Sequence, residues 1–238
     1  MSRKLRMGMV GGGPGAFIGP VHKIAAELDG KIEMVAGAFS QSAERSRAAG
    51  AGFAIDPARA YSSYDAMFEA EKQREDSIDF VVIATPNHLH LPVAKAALAA
   101  GIAVMSDKPA TATYDEVLEL ESEVHKAALP YGLTHTYAGY SLVREARALL
   151  AAGTLGPTRK VAVEYLQGWL SSPLEMSGQK QAAWRSDPAL NGPFGDSLQL
   201  LRAPDAITSY KRGAAPDPSM WKIEPELVFG ALRAGCFA

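Results

Sequence analysis

The run Gly11-Gly12-Gly13-Pro14-Gly15-Ala16-Phe17-Ile18-Gly19 follows a short apolar stretch directly and opens a helix-like segment. Residues without side chains let a backbone turn tightly and approach an anionic group closely. The positive end of the helix that follows then favours the anion. Gly11, Gly13 and Ala16 satisfy the G-x-G-x-x-[GA] spacing that cradles a dinucleotide pyrophosphate, with Gly19 as the alternative end point of an enlarged loop. Phe17 and Ile18 occupy the chain between the loop and the helix, and count with it as cofactor-lining positions. A flexible glycine turn is the plainer reading of such a run. The strand before it and the helix after it favour phosphate binding.

The partner expected for the adenosine ribose is harder to place. About 20 residues beyond Gly13 stands Glu33, but it falls early in the second strand, whereas the ribose contact comes from a strand's carboxyl end. That end reads Phe39-Ser40-Gln41-Ser42 and has no carboxylate, which leaves Ser40 as the candidate. Arg45 and Arg47 follow. They either meet a ribose 2′-phosphate or stand solvated on a helix, so the cofactor reads as NAD or NADP, leaning to NADP.

Two later clusters carry further chemistry: Thr85-Pro86-Asn87-His88-Leu89-His90 and Asp107-Lys108-Pro109. A buried lysine at a strand end can polarise a reacting hydroxyl or share its proton. Asn87 after Pro86 is placed to cap a helix, and His88 is expected at the surface. His22, His125 and His135 have no paired ligand spacing, and the single cysteine, Cys236, cannot build a thiolate site, so no metal centre is expected.

The elements that must position these groups alternate. Strands are expected at Leu5 to Val10, Lys31 to Phe39, near Phe53 to Ile55, Ile78 to Ala84, Ile102 to Met105 and Tyr131 to Thr134. Helices are expected through about Leu28, at Ser40 to Gly50, Tyr64 to Arg74, Asn87 to Ala100 and Thr113 to Ala128. The near-continuous apolar run of Ile78 to Ala84 is typical of a strand buried on both faces of a parallel sheet. The alternation implies right-handed crossovers and a doubly wound α/β sheet over residues 1–135, with both motif clusters at strand carboxyl ends, where ligands bind in this class. After Thr136 the pattern changes: a helix at Leu142 to Ala151 ended by Gly153, then an alternating strand from Arg159 to Trp169. Residues 136–238 therefore read as an incomplete α+β sheet domain.

Together the glycine loop, Ala84-Thr85-Pro86-Asn87-His88-Leu89-His90 and Met105-Ser106-Asp107-Lys108-Pro109 resemble the Gfo/Idh/MocA oxidoreductases, the glucose–fructose oxidoreductase and inositol dehydrogenase family. The resemblance continues through Gly168-Trp169 and Trp184-Arg185-Ser186-Asp187-Pro188, and so covers about residues 5–196. It implies a Rossmann dinucleotide-binding domain and hydride transfer between a sugar or polyol carbinol and NAD(P). It further implies Lys108 at the substrate hydroxyl and Asp107 near the nicotinamide ribose, where the family more often has glutamate. Thr85, Pro86 and Asn87 would line the cofactor, and His90 would pack at the cleft. The family's Gly-Asp-x-Gly-x-His motif is matched only at Gly195-Asp196; Leu200 stands where its proton-handling histidine belongs. Asp196 then joins Lys108 as the surviving catalytic candidate. Beyond it nothing of the family is recognised, as expected for a reading-frame change or a rearranged gene end. The alternative to a catalyst is a non-catalytic dinucleotide-binding remnant, or a module that dimerises through the family's open sheet face.

Composition bounds the rest. Lys and Arg number 24 against 26 Asp and Glu, a net charge of -2, so no global basic field exists to hold nucleic acid. No apolar run approaches the roughly 18 residues of a membrane span, and a cysteine-poor chain suits a reducing compartment. The expectation is a cytoplasmic protein acting on a small sugar or polyol, a homo-oligomer if its sheet domain folds.

Overall fold

The computed structural model describes residues 3–157 and the isolated Gly178. Among the described residues six strands, β1 (Leu5–Gly11), β2 (Ile32–Ala38), β3 (Ala60–Tyr61), β4 (Phe80–Ala84), β5 (Ala103–Asp107) and β6 (Tyr131–Thr134), form one sheet in the order β3-β2-β1-β4-β5-β6. Every pairing is parallel. The α-helices of the described residues are α1 (Ile18–Glu27), α2 (Ala43–Gly52), α3 (Tyr64–Glu71), α4 (His90–Ala99), α5 (Tyr114–Ala127) and α6 (Ser141–Ala151). This is the expected doubly wound α/β fold. The strand order reverses between β1 and β4, which opens a crevice beyond their carboxyl ends.

Successive side chains of a strand point to opposite faces, and β4 shows what each face does. Val81 and Ile83 join Val10, Met67, Phe68, Val93, Ala97 and Leu120 in one core, packed by α3, α4 and α5. Val82 and Ala84 join Met7, Met9, Met34 and Ile55 in the other, with Ile18 and Ala26 of α1 packed against it. Burial on both faces explains why β4 reads as an unbroken apolar run. Just before it begins, the Asp79 carboxylate takes both arms of the Arg3 guanidinium at 2.6 Å and the Arg6 N–H at 2.7 Å. That fork holds the Asp79 carboxyl below the usual carboxylate range.

Several boundaries differ from the sequence reading. The strand expected near Phe53 to Ile55 lies instead at Ala60–Tyr61, paired with Gly37 and Ala38. Ile55 is buried in the core, but Ala54 adopts a left-handed φ of 59° and the Ile55 N–H returns to Gly50 O. The segment is therefore a helix exit, not an extended chain. Helix α2 begins at Ala43 because Ser42 caps it, accepting from the Arg45 N–H at 3.4 Å. Asn87 opens a single 3-10 turn, Asn87–Leu89, and α4 starts only at His90 after Leu89. Asn87 is therefore not the residue that caps α4. Strand β5 continues through Asp107, whose neighbour in β6 is Thr134. Gly153, with φ of 70°, follows the end of α6 as expected. The strand expected at Arg159 to Trp169, together with Asp196 and Leu200, lies outside the described residues.

A buried polar network is the feature that hydropathy patterning missed. Glu71, fully buried at the end of α3, accepts from Arg59 Nε at 3.0 Å, from Arg59 Nη2, from Tyr61 OH at 2.9 Å and from Ile78 N–H at 3.2 Å. Burial and the Glu71 carboxylate push the Tyr61 hydroxyl up to about 12. The network ties β3, α3 and the entry to β4 together. Removing one partner of a buried pair strands the other charge, at a cost of about 3–5 kcal/mol. Arg59→Met should therefore lower unfolding stability by that order, read by urea denaturation followed by circular dichroism, and a loss below about 1 kcal/mol would contradict the role assigned to the pair.

Candidate functional site

Three chain segments meet at the carboxyl end of the sheet: the loop after β1, the loop after β4 and the end of β5. Strand register brings Gly11 beside Ala84, and Ile83 beside Ser106. The ends of β1, β4 and β5 thus lie side by side.

The loop after β1 can exist only with glycine. Gly11 and Gly12 adopt φ of 79° and 67°. A Cβ on Gly11 would stand 2.5 Å from Ala84 O, and the Gly12 N–H donates to the same carbonyl at 3.1 Å. Pro14 and Gly15, the latter with φ of 86°, form a turn closed by Ala16 N–H to Gly13 O at 2.9 Å, the residue pattern of a type II turn. Gly13 approaches the other side, where a Cβ would lie 3.0 Å from Phe39 Cβ at the end of β2. The tightest position is Gly19: a Cβ there would stand 1.8 Å from Gly12 O. Gly19 is buried and α1 seats on the backbone of the glycine loop through it, so the tightest contact of the fingerprint falls on Gly19, the alternative end point, while Ala16 belongs to the turn. Phe17 is exposed at the helix start, where no side chain caps the first N–H groups, and Ile18 is half-buried.

At the end of β2, Ser46 on α2 is wholly buried. Its hydroxyl accepts from Phe39 N–H at 3.1 Å and donates to Tyr61 O. This clip holds the chain on which Ser40 sits. Ser40 Oγ accepts from the Ser42 N–H at 3.2 Å, and Arg45 and Arg47 are exposed on α2. Glu33 lies at the opposite end of β2, lining a recess of about 320 Å³ with Asp56, Arg59 and Asp76. It is remote from the glycine loop.

The other two segments are joined by His90. The ring is 1% exposed, with Nδ1 2.6 Å from Pro109 O and Nε2 3.0 Å from Thr85 O. It thereby locks the Thr85-Pro86-Asn87 loop to the Asp107-Lys108-Pro109 segment, from beneath the cleft. Asp107 Oδ1 accepts from the Lys108 N–H at 2.9 Å and from Thr134 Oγ1 at 2.8 Å, which fixes its carboxylate. Asn87 is buried. Lys108 is exposed, not buried as the sequence reading had it. His88 is half-buried rather than exposed, and it is engaged with a partner. Sequence reasoning missed Ser46 and Thr134 as the residues that hold this edge; small hydroxyl side chains carry no periodic signal.

Comparison with known proteins now decides the family. The sequence model for the Gfo/Idh/MocA oxidoreductase family, NAD-binding Rossmann fold, matches residues 5–135. The chain belongs to this family. An uncharacterized oxidoreductase of Bacillus subtilis is 36% identical over 197 residues, 81% of this chain and 49% of that protein. An inositol 2-dehydrogenase of Leifsonia xyli is 31% identical over 192 residues, 79% of this chain and 52% of the relative. Among solved structures, an inositol dehydrogenase homolog from Azotobacter vinelandii complexed with NAD+ superposes with a TM-score of 0.77 at 38% identity, covering 86% of this chain and 55% of that one. The chain spans about half the length of the curated relatives it matches. Among the described residues of this Gfo/Idh/MocA chain, no helix is long and apolar enough to cross a membrane.

The groups present suit a dinucleotide. The loop is a tight glycine turn that no side chain could occupy, and Thr85 Oγ1 is buried beside it without a hydrogen-bond partner among the described residues. Gly19→Ala should push α1 off the glycine loop, because its obstacle is the Gly12 backbone carbonyl, which cannot rotate away. We expect a fall in melting temperature of several degrees, as ΔΔG of about 1 kcal/mol moves a domain of this size by roughly 4 °C. Ala16→Gly should leave it within error. Thermal melts of the two variants side by side check this; equal melting temperatures would show that the contact is not tight.

Proposed function

We propose that this chain binds a nicotinamide dinucleotide, NAD or NADP, across the carboxyl ends of β1, β4 and β5. It serves a dehydrogenase reaction between that cofactor and a sugar or polyol carbinol. The observation that carries the reading is the convergence of the glycine loop, the Thr85–His90 loop and Asp107-Lys108 on the switch point between β1 and β4. Support for the substrate class comes from the Azotobacter vinelandii inositol dehydrogenase homolog in its complex with NADH and myo-inositol, which shares 34% identity and a TM-score of 0.71 with this chain.

In this reading Gly11, Gly13 and the first turn of α1 hold the pyrophosphate by backbone N–H groups and the helix field. Ser40 and Arg45 face the adenosine ribose, where a 2′-phosphate would meet the exposed guanidinium and favour NADP. Thr85, Pro86, Asn87 and Asp107 border the nicotinamide side. The cofactor, when bound, supplies the hydride acceptor or donor. Lys108 is the residue that shares a proton with the substrate hydroxyl, from a position open to the cleft and fixed by the backbone that His90 clamps. Residues 136–238 contribute the substrate side, with Asp196 as the second ionisable group. A folded sheet in that part would also offer a face for self-association.

Leu200 favours a second reading, dinucleotide binding with little turnover, since leucine cannot exchange protons and an unperturbed aspartate titrates near 4, far from neutral operating pH.

Calorimetric titration with NADH and NADPH should give saturable binding, and Gly13→Leu, whose side chain crowds Phe39 and the phosphate position, should abolish it with the helical signal intact. A folded sample that binds neither nucleotide overturns the proposal. Turnover over a panel of polyols should be far below the roughly 1–10³ per second of ordinary enzymes, and Lys108→Ala should remove what activity there is. A rate unchanged by that substitution would show that Lys108 does not handle the proton.

A further inference from the structure

His135 follows β6 directly, at the carboxyl edge of the sheet, and is exposed. The pairing of β5 with β6 ends with Asp107 beside Thr134, so the next residue on each chain is Lys108 and His135. Neighbouring strands run about 4.8 Å apart, close enough for a lysine and a histidine at such positions to reach one small ligand. Hydrogen bonds hold the two backbones in that relation. Thr134 Oγ1 donates to Asp107 Oδ1 at 2.8 Å, and the same oxygen accepts from the Lys108 N–H at 2.9 Å. The His135 N–H donates back to Leu133 O at 3.0 Å, and the His135 carbonyl accepts from the Ala138 N–H at 3.0 Å. Other imidazoles near this edge are engaged. Both nitrogens of His90 meet carbonyls beneath the cleft, and His88 is half-buried with a partner. Oxidation of a carbinol releases a proton as well as a hydride. A lysine ammonium can hold the reacting oxygen but is a donor only, whereas a neutral imidazole accepts a proton at a ring nitrogen.

We propose that His135 is a catalytic residue beside Lys108, the group that takes up the proton of the substrate hydroxyl. The inference rests on the dehydrogenase reading above and assigns the destination of the proton in that same site. The carbinol C–H bond breaks and its electron pair leaves as hydride for the oxidised nicotinamide. The O–H bond breaks with it, and its electron pair closes the carbonyl. The proton, shared with Lys108, passes to the His135 imidazole, which becomes imidazolium and returns it to water. An exposed ring on a backbone fixed at both sides suits that exchange with solvent.

The full chain is assayed with NAD+ or NADP+ and myo-inositol, D-xylose or D-glucose, with NADH affinity measured by calorimetry alongside. The slow oxidation by the wild-type chain should fall about a hundredfold in His135→Ala, the lower end of what general acid–base catalysis contributes. KM and NADH affinity should change less than twofold. His135→Gln keeps a hydrogen-bonding side chain but cannot take up a proton, and should be as slow. Imidazole added to the buffer should restore part of the His135→Ala rate in proportion to its concentration, and should not restore Lys108→Ala. An unchanged rate in His135→Ala or His135→Gln, or a loss in His135→Ala that imidazole does not relieve, would overturn the inference. So would a wild-type chain that binds NADH and oxidises none of the three substrates. A folded wild-type chain that binds no dinucleotide would instead overturn the dinucleotide reading itself. Circular dichroism screens the variants for folding, and if His135→Ala fails to fold the rate of His135→Gln decides.

Discussion

The contact between Gly19 and the Gly12 carbonyl sets the geometry of the whole carboxyl edge. Glycine at both positions lets α1 sit directly on the backbone that leaves β1, and that approach forces the intervening residues into a tight loop at the helix start. Any side chain at Gly19 would tilt the helix away and carry the first turn with it. The parallel sheet supplies the matching half of the constraint. Because β1 and β4 are in register at Gly11 and Ala84, the Thr85 loop emerges beside the glycine loop.

His90 extends that order to the next strand. Its two ring nitrogens reach carbonyls on separate loops, so the position of Lys108 depends on a residue that touches neither substrate nor cofactor in the proposed reaction. Thr134 does the same for Asp107 from β6. The exposed lysine thus stands on a backbone held from below by buried hydrogen bonds.

Much of this was legible from residue order. The β4 run is apolar on both faces because helices cover both, and that physical requirement is visible as an unbroken Val-Val-Ile stretch. Likewise, positive φ and close backbone approach demand glycine, so Gly11, Gly12 and Gly13 announce the loop. The misreadings share a cause. Phe53 to Ile55 has strand composition but lacks a strand to pair with, since the end of β2 is taken by Ala60–Tyr61. Lys108 reads as buried from its motif, yet exposure depends on what packs above it. The Arg59–Glu71 pair breaks the apolar rule for interiors and becomes intelligible only when its partners from β3, α3 and the start of β4 are brought together.

The amino-acid sequence by itself determined the alternation of elements, the sheet class, the phosphate-binding loop and the strand ends that carry ionisable groups, because each follows from local periodicity or from a steric demand on one residue. Tertiary structure alone decided which glycine makes the close contact, which hydroxyls and imidazoles hold the edge, and which polar atoms are left without partners. Those properties are distances between segments far apart in the chain, and no local pattern encodes a distance.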